Sequence, residues 1–284
     1  MIGWGRQMAG TVGLGNVVVK EIRVKTALSR SGLPEYDYAL NPYLGCQHGC
    51  IYCYAMDFTR SEPGRRWGEI VYVKANLIYA LTKDIRKLKP GIVGVSTITD
   101  PYQPVESRYK LTRRAIELLC NAGYHVSVQT KSALIIRDLD IISKCGKSVD
   151  VGLTITTMRN TYRAVEPMAA HPTARASALR RIASLGIKTW IFLGPVIPGV
   201  NDKVEDYEPV IRLAKETNSQ VIIDRFRPRP VVIKFMSRKL NPIYPATRDW
   251  WSETLNSIMR LCREYGVNCI TAEDEWEINR KREK

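Results

Sequence analysis

The sequence contains no run of 18 consecutive apolar residues, and its first ten residues, MIGWGRQMAG, lack the apolar core of a signal peptide. We therefore expect no membrane span and a cytoplasmic location, where thiols stay reduced and can hold a metal cluster. No internal repeat or low-complexity segment is visible. A second C-x2-C pair is also missing, so the sequence does not indicate a zinc ribbon or zinc finger.

Acidic residues are few compared with basic ones. The chain has 28 Asp and Glu against 43 Lys and Arg, which gives a net charge of +15 and a pI near 9.6. Such an excess favours a polyanionic partner, most commonly nucleic acid, although a solvated basic face or adaptation to high temperature would also produce it.

The length of 284 residues suits one large α/β domain, and a hydrophobic content of 45% allows a sizeable core. We expect residues 1–34 to form an N-terminal extension that packs on this domain. Residues 35–245 should form the domain itself, and residues 246–284 a C-terminal helix, a short strand and a basic tail.

Three of the seven cysteines fall within eight residues, as Cys46, Cys50 and Cys53 in the spacing C-x3-C-x2-C. Nearby proline and glycine residues predict an irregular loop, which can wrap three thiolates around one object. Cuboidal iron–sulfur clusters are held by cysteine thiolates, and three ligands leave one iron open to substrate. A zinc site completed by His48 and a buried group of cysteines remain alternatives from the spacing alone.

Apolar strands and amphipathic helices alternate from residue 38 onward, which predicts a parallel sheet of six β/α units that curls without closing. Strands are expected at residues 38–44, 92–97, 124–130, 149–156, 187–193 and 220–225. In barrels of this kind the chemistry lies at the carboxyl ends of the strands. Polar side chains end several of these strands: Thr97, Thr99, Asp100, Thr130, Lys131, Thr154, Thr156, Asp224 and Arg225.

The cysteine spacing, with the aromatic Tyr52 before the last cysteine, resembles the signature of the radical S-adenosylmethionine (radical SAM) enzymes. Five stretches resemble, in order, the branch related to spore photoproduct lyase, which is also called DNA repair photolyase-like. They are residues 41–55, 99–106 (TDPYQPVE), 130–132 (TKS), 137–140 (RDLD) and 198–202 (PGVND). The resemblance implies a partial (β/α)6 TIM-like barrel, a [4Fe-4S] cluster on Cys46, Cys50 and Cys53, and S-adenosylmethionine as the second cofactor.

The same resemblance implies roles for individual side chains. Lys131 would pair with the carboxylate of S-adenosylmethionine, Thr99 would hydrogen-bond its amino group, and Thr154 would lie near its ribose. The Tyr52 ring could lie against the adenine or simply pack beside the cluster. We expect one electron, supplied by a reduced ferredoxin or flavodoxin, to cleave the sulfonium bond and yield a 5′-deoxyadenosyl radical. Glu166 could contact substrate, cap a helix or pair with Arg163.

One position departs from the lyase pattern. Spore photoproduct lyase carries a hydrogen-donating cysteine three residues before the aspartate of its Asp-Pro pair, and the matching residue here is Thr97. Repair of that lesion by the same route is therefore in doubt. Of the other cysteines, Cys120 and Cys145 are expected to be core residues, whereas Cys262 and Cys269 could form a disulfide or be buried.

Three arginines follow the sixth predicted strand, as Arg225, Arg227 and Arg229, and Phe226 and Phe235 are interleaved with basic residues there. This pattern suits a nucleic-acid groove, although a proline-rich loop whose charges are only solvated would look the same. The expected substrate is RNA or DNA, for modification or repair. The alternatives are a peptide or small metabolite, or a nucleic-acid binder whose cluster is structural or redox-sensing.

Overall fold

The structure, a computed structural model, describes residues 8–14 and 17–274. Its strands are β1 (Met8–Leu14), β2 (Val17–Ile22), β3 (Leu28–Arg30), β4 (Tyr38–Leu40), β5 (Tyr43–Leu44), β6 (Ile70–Lys74), β7 (Ile92–Val95), β8 (His125–Thr130), β9 (Val149–Thr154), β10 (Lys188–Val196), β11 (Gln220–Arg225) and β12 (Cys269–Thr271).

The helices are α1 (Ala55–Phe58), α2 (Glu62–Arg65), α3 (Leu77–Ile85), α4 (Glu106–Tyr109), α5 (Leu111–Asn121), α6 (Leu139–Cys145), α7 (Tyr162–Val165), α8 (Pro172–Ala183), α9 (Val204–Glu216), α10 (Pro230–Met236) and α11 (Arg248–Tyr265). Two short 3₁₀ segments, Ala133–Asp138 and Gly146–Ser148, flank α6. In the described part of the chain, no helix is long and apolar enough to cross a membrane.

The main sheet has eight strands in the order β12-β11-β10-β9-β8-β7-β4-β3. All neighbours run parallel except β3, which pairs antiparallel with β4. Every residue of the central strand β9 is buried, as expected for a parallel strand covered on both faces. The prediction of an α/β partial barrel with six β/α units is confirmed, and β12 and β3 form its two edges.

A second sheet of four strands, in the order β1-β2-β6-β5, lies on the N-terminal side of the chain. The N-terminal extension therefore shares a sheet with β6, inside the region predicted as barrel, and its β3 joins the main sheet. The boundaries proposed at residues 34 and 245 stay predictions. Residues 275–284, which include most of the predicted basic tail, lie outside the described part of the chain.

The predicted first strand, residues 38–44, was wrong in one respect, because the chain leaves the main sheet after β4 and enters the small sheet as β5. Gly45 follows β5 with φ +80, and a Cβ atom there would lie 2.4 Å from the carbonyl oxygen of Ile70. Only glycine suits that turn, which directs the chain into the cysteine loop.

The predicted core roles of Cys120 and Cys145 were wrong, because these residues form a disulfide between the end of α5 and the end of α6. A second disulfide joins Cys262 of α11 to Cys269 of β12 and thereby ties the edge strand to the last helix. Cys46, Cys50 and Cys53 remain as free thiols.

Candidate active site

The cysteine loop runs from β5 to α1, at the carboxyl-end edge of the main sheet. On one side it is tied to the segment that follows β7. The Thr99 hydroxyl donates to the carbonyl of Gly45 (2.6 Å), and the amide of Gln47 donates to Oε1 of Gln103 (2.9 Å). The Gln103 side chain also donates to Gly45 O (3.3 Å) and to the Thr99 hydroxyl (2.9 Å). This side of the loop is therefore held before any cofactor binds.

The other side of the loop is tied to the segment around α7. The amide of Ile51 donates to the carbonyl of Val165 (2.9 Å), and that of Met168 donates to the carbonyl of His48 (3.2 Å). The indole of Trp67 donates to the carbonyl of Cys50 (3.2 Å). The loop is thus fixed from both sides by these contacts, and none of them uses a cysteine sulfur atom.

Burial raises the pKa of the Cys50 thiol to about 12, and it also raises the pKa values of Cys46 and Cys53. The cation of Lys131 opposes this effect at Cys50 and Cys53, since it favours their thiolate forms. Within residues 17–274, no three His, Cys, Asp or Glu side chains are placed to hold a single metal ion. The donor set of three free thiols on one loop fits an iron–sulfur cluster, whose irons are bound by cysteine thiolates.

Asp100 positions Lys131 through the backbone. Its carboxylate accepts hydrogen bonds from the amide of Lys131 (2.8 Å) and from the hydroxyl of Thr130 (2.6 Å), and Nδ1 of His48 lies 3.4 Å away. Burial alone would raise the pKa of Asp100, but the charge of His48 and these hydrogen bonds hold it at about 2. The carboxylate therefore joins the strand end of β8 to the cysteine loop.

The side chain of Lys131 points toward the cysteine loop, and its Nζ lies 5.7 Å from the centre of the Tyr52 ring. Burial lowers the pKa of Lys131, yet the nearby Cys50, Glu166, Cys53 and Asp100 raise it overall. Lys131 thus supplies a positive charge beside the three thiols. Two of the predicted cofactor-binding residues, Lys131 and Tyr52, lie together at the predicted cluster.

Behind Tyr52 lies a buried ionic network that the sequence did not reveal. The Tyr52 hydroxyl donates to Oε1 of Glu166, whose other oxygen pairs with Nη2 of Arg175 at 2.5 Å. Arg175 is fully buried and also donates to the carbonyl of Thr154 (2.9 Å). The suggested pairing of Glu166 with Arg163 was wrong, because the partner is Arg175. A signal for it existed, since Arg175 lies on the same buried face of α8 as Leu179 and Ile182.

The predicted cofactor-binding threonines have partners within the protein. The Thr99 hydroxyl donates its hydrogen to the carbonyl of Gly45 in the cysteine loop, so toward a ligand it can only accept a hydrogen bond. The Thr154 hydroxyl is buried and accepts from the Gln129 side chain (3.0 Å). Their assignments to the amino group and the ribose stay predictions. Thr97 accepts a hydrogen bond on its hydroxyl from Asn41 (3.2 Å), and Tyr54 donates to its carbonyl.

Two of the stretches that carry the resemblance meet in a scaffold beneath the site. The fully buried Glu106 accepts hydrogen bonds from the Tyr43 hydroxyl, from the Thr112 amide (3.0 Å) and from Arg137 (3.0 Å). Arg137 also pairs with Asp138 at 2.7 Å. These residues of TDPYQPVE and RDLD therefore join α4 and α5 to the segment before α6 and need no ligand to explain them.

The three arginines proposed for nucleic acid each pair with a carboxylate. Arg225 lies 3.3 Å from Glu273, Arg227 lies 2.6 Å from Asp224 and 3.0 Å from Glu273, and Arg229 lies 3.4 Å from Asp57. Burial raises the pKa of Asp224 to about 6 against the lowering effect of Arg227. The nucleic-acid role of these arginines stays a prediction, and their charges are largely compensated by neighbours.

No helix was predicted directly after β11, yet residues 230–236 form α10. Pro230 occupies the first turn of this helix, where a missing amide hydrogen is tolerated. Phe226 is only 3% exposed, because it packs in the same apolar cluster as Cys50 and Tyr52.

A family model described as the Radical SAM superfamily matches residues 40–214, which span β4 to the end of α9. The chain belongs to this superfamily of enzymes. An uncharacterized protein of Methanocaldococcus jannaschii is 33% identical over 189 residues, which cover 66% of this chain and 70% of that protein. A radical SAM Nalpha-GlyT isomerase of Pseudomonas phage M6 is 24% identical over 184 residues, which cover 64% of this chain and 38% of that protein.

Among solved structures, spore photoproduct lyase complexed with dinucleoside spore photoproduct is similar in fold. It superposes with a TM-score of 0.70, over 94% of this chain and 87% of that one, at 15% sequence identity. The likeness in fold covers more of the chain than the family match to residues 40–214. At this identity it concerns the fold alone.

Proposed function

We propose that this radical SAM enzyme holds a [4Fe-4S] cluster on Cys46, Cys50 and Cys53, binds S-adenosylmethionine beside Lys131, and abstracts a hydrogen atom from a nucleic acid. The observation that carries the cluster assignment is the distribution of thiols. Four of the seven cysteines form disulfides, and the three that stay free are those of the C-x3-C-x2-C loop.

When bound, the cluster supplies the electron that cleaves S-adenosylmethionine, and the chemistry belongs to these two cofactors. The protein orients them. Asp100 fixes the backbone of Lys131, and the Lys131 ammonium is placed to pair with a carboxylate. The Glu166–Arg175 pair fixes Tyr52 at the wall of the site, and the surrounding apolar cluster excludes water.

Two observations support nucleic acid as the substrate. The net charge is +15, and residues 225–248 contain seven arginines and lysines without one acidic residue. The structurally similar lyase was solved with a dinucleoside ligand, which makes a nucleic-acid substrate plausible for a chain with a similar fold. A neutral peptide or metabolite would not account for the exposed basic residues Lys234, Arg238 and Lys239.

Iron content and thiol counts test the proposal. Under anaerobic conditions the reconstituted protein should bind about four irons, and alanine at Cys46, Cys50 or Cys53 should abolish this. Cys120→Ala is the matched control: it should keep the iron and lose stability, by about 3 kcal/mol for the loop that its disulfide closes. Unfolded without reductant, the apo protein should expose only the three free thiols. Zinc in place of iron, or no cleavage of S-adenosylmethionine by the reduced protein, would contradict the proposal.

A further inference from the structure

Residues 225–248, here called the basic segment, run from the end of β11 through α10 to the start of α11. The segment holds seven basic residues and no acidic one: Arg225, Arg227, Arg229, Lys234, Arg238, Lys239 and Arg248. The first three are paired with carboxylates, as described above. The last four are exposed and form no ion pair with any carboxylate among the described residues. The uncompensated charge therefore lies on α10, on the turn that follows it and at the start of α11, beyond the strand-end arginines.

The same segment forms most of an apolar cavity of about 410 Å3. It is lined by Phe226, Pro228, Ile233, Ile243, Tyr244, Pro245, Ala246 and Thr247. Its volume lies in the range of small-ligand sites, roughly 300–1,000 Å3. Phe226 is buried at its inner wall, whereas Tyr244 is 52% exposed. The cavity is thus bounded by aromatic rings, and two of the four unpaired basic residues, Lys234 and Arg248, directly follow the lining residues Ile233 and Thr247 in the chain.

The cavity lies next to the proposed catalytic site. Phe226 and Ile233 pack in the apolar cluster that contains Cys50 and Tyr52, and Asp57 of α1 pairs with Arg229 at the start of α10. Tyr244 covers Gly199, where a Cβ atom would lie 2.5 Å from the tyrosine ring. A strand bound along the basic segment would therefore pass beside the cysteine loop.

We infer that this cavity receives an unstacked base of a single-stranded nucleic acid, whose phosphates lie along Lys234, Arg238, Lys239 and Arg248. The unpaired basic residues favour binding of a polyanion. The aromatic, apolar cavity favours a polyanion that carries flat rings, as the bases of a nucleic acid do. Base–aromatic stacking tolerates any base, so the site positions the strand and does not read its sequence. The inference rests on the proposed function for its substrate class and adds the strand form and the residues that hold it.

The experiment measures binding of a fluorescein-labelled single strand of about 12 nucleotides, within the usual range of site sizes, as the salt concentration is varied. Replacing Lys234, Arg238 and Lys239 together by alanine should weaken binding and reduce the salt slope by about two, since each lost contact to a single strand contributes about 0.7. The matched control replaces Lys144, Lys147 and Arg181, which are exposed and precede β9 and β10, at the amino ends of the parallel strands. It changes the net charge equally and should leave the slope unchanged.

The cavity is tested separately from the charges. Tyr244→Ala should weaken single-strand binding at least about fivefold, Tyr244→Phe should restore it, and neither should alter binding of heparin, a polyanion without bases. The inference is overturned if the basic-segment triple variant and its control bind the single strand with equal affinity. It is also overturned if Tyr244→Ala weakens binding of heparin and of the single strand equally. Binding of an acidic protein through the same lysines, without binding of the single strand, also overturns it.

Iron content and substrate-free cleavage of S-adenosylmethionine are recorded for each variant, because both should stay unchanged. If the unaltered protein cleaves S-adenosylmethionine but does not bind the single strand, the proposed base site is contradicted and the proposed radical chemistry is not. If the protein binds the single strand through Tyr244 but does not cleave S-adenosylmethionine, the proposed function is contradicted instead.

Discussion

The hydroxyl of Tyr52 donates a hydrogen bond to Oε1 of Glu166, and both side chains are buried against the cysteine loop. Tyr52 lies directly before Cys53, whereas Glu166 follows α7, so this contact joins the loop to the far side of the barrel. Because Arg175 holds the second oxygen of Glu166, the tyrosine ring is fixed before any cofactor binds.

We expect a strong energetic coupling between these two residues. In a double-mutant cycle of Tyr52→Phe and Glu166→Gln, urea unfolding of the anaerobic apo protein should give a coupling of about 1.5–3 kcal/mol, typical of a hydrogen bond to a charged group. Tyr79→Phe is the control, because its ring is 61% exposed, and it should change the unfolding free energy by no more than about 0.5 kcal/mol. Additive effects of the two changes would show that the contact does not hold the ring.

Much of the scaffold could be predicted because its signals are local. The bounds of β11 agree with the strand predicted at residues 220–225, since a run of apolar residues marks it. The strand β6 was missed because it pairs with β2 and β5, outside the β/α alternation. The helix α10 was not predicted because Pro228 and Pro230 interrupt the apolar pattern, whereas Pro230 lies in the first helical turn.

Some features of the candidate site could likewise be predicted from local sequence patterns, and others could not. The cysteine loop and Lys131 could be found from spacing and strand ends, because both signals lie within a few residues. The position of Arg175 on the apolar face of α8 indicates a buried cation, but its pairing with Glu166 could not be predicted, and neither could the Cys120–Cys145 disulfide, since each depends on how separate elements pack. The cavity beside Tyr244 is formed by a turn whose course no local pattern specifies.

Lys131 should bind S-adenosylmethionine through charge. Lys131→Ala should keep its iron and bind the cofactor roughly 10- to 150-fold more weakly, which corresponds to about 1.5–3 kcal/mol for a charge-assisted hydrogen bond. Lys131→Arg should recover part of the loss, and the exposed Lys144→Ala should behave as the unaltered protein in equilibrium binding. Unchanged affinity in Lys131→Ala would assign the residue to a structural role.

We expect the ionised carboxylate of Asp100 to stabilise the apo protein, and this contribution to the unfolding free energy should disappear at acidic pH. Its pKa is about 2 in the folded protein, below the ordinary value of 3.8, so its carboxylate stabilises the fold above pH ~4. This stabilisation, on the order of 2 kcal/mol, should be lost as the pH falls from about 4 to about 2. The measurement is the difference in unfolding free energy between the unaltered protein and Asp100→Asn at each pH. A difference that stays constant across this range would mean that the carboxylate is not held ionised by its partners.

Because Thr97 stands where the lyase has a cysteine, we expect the protein not to repair the lesion that spore photoproduct lyase repairs. A hydroxyl O–H bond is too strong to give a hydrogen atom to a carbon radical as a thiol does. Moreover, the Thr97 hydroxyl accepts from Asn41, and its carbonyl accepts from Tyr54. Incubated with dinucleoside spore photoproduct, S-adenosylmethionine and a reductant, the protein should release 5′-deoxyadenosine and no repaired dinucleoside.

Thr97→Cys is the matched variant, because it places a thiol at this position and leaves the cysteine loop unchanged. If the missing thiol is what prevents repair, product should appear with this variant, while 5′-deoxyadenosine formation stays similar in both proteins. Chromatography of the products after equal times measures both quantities. Rapid repair by the unaltered protein would show that another residue donates the hydrogen atom and that the hydroxyl at position 97 is no obstacle.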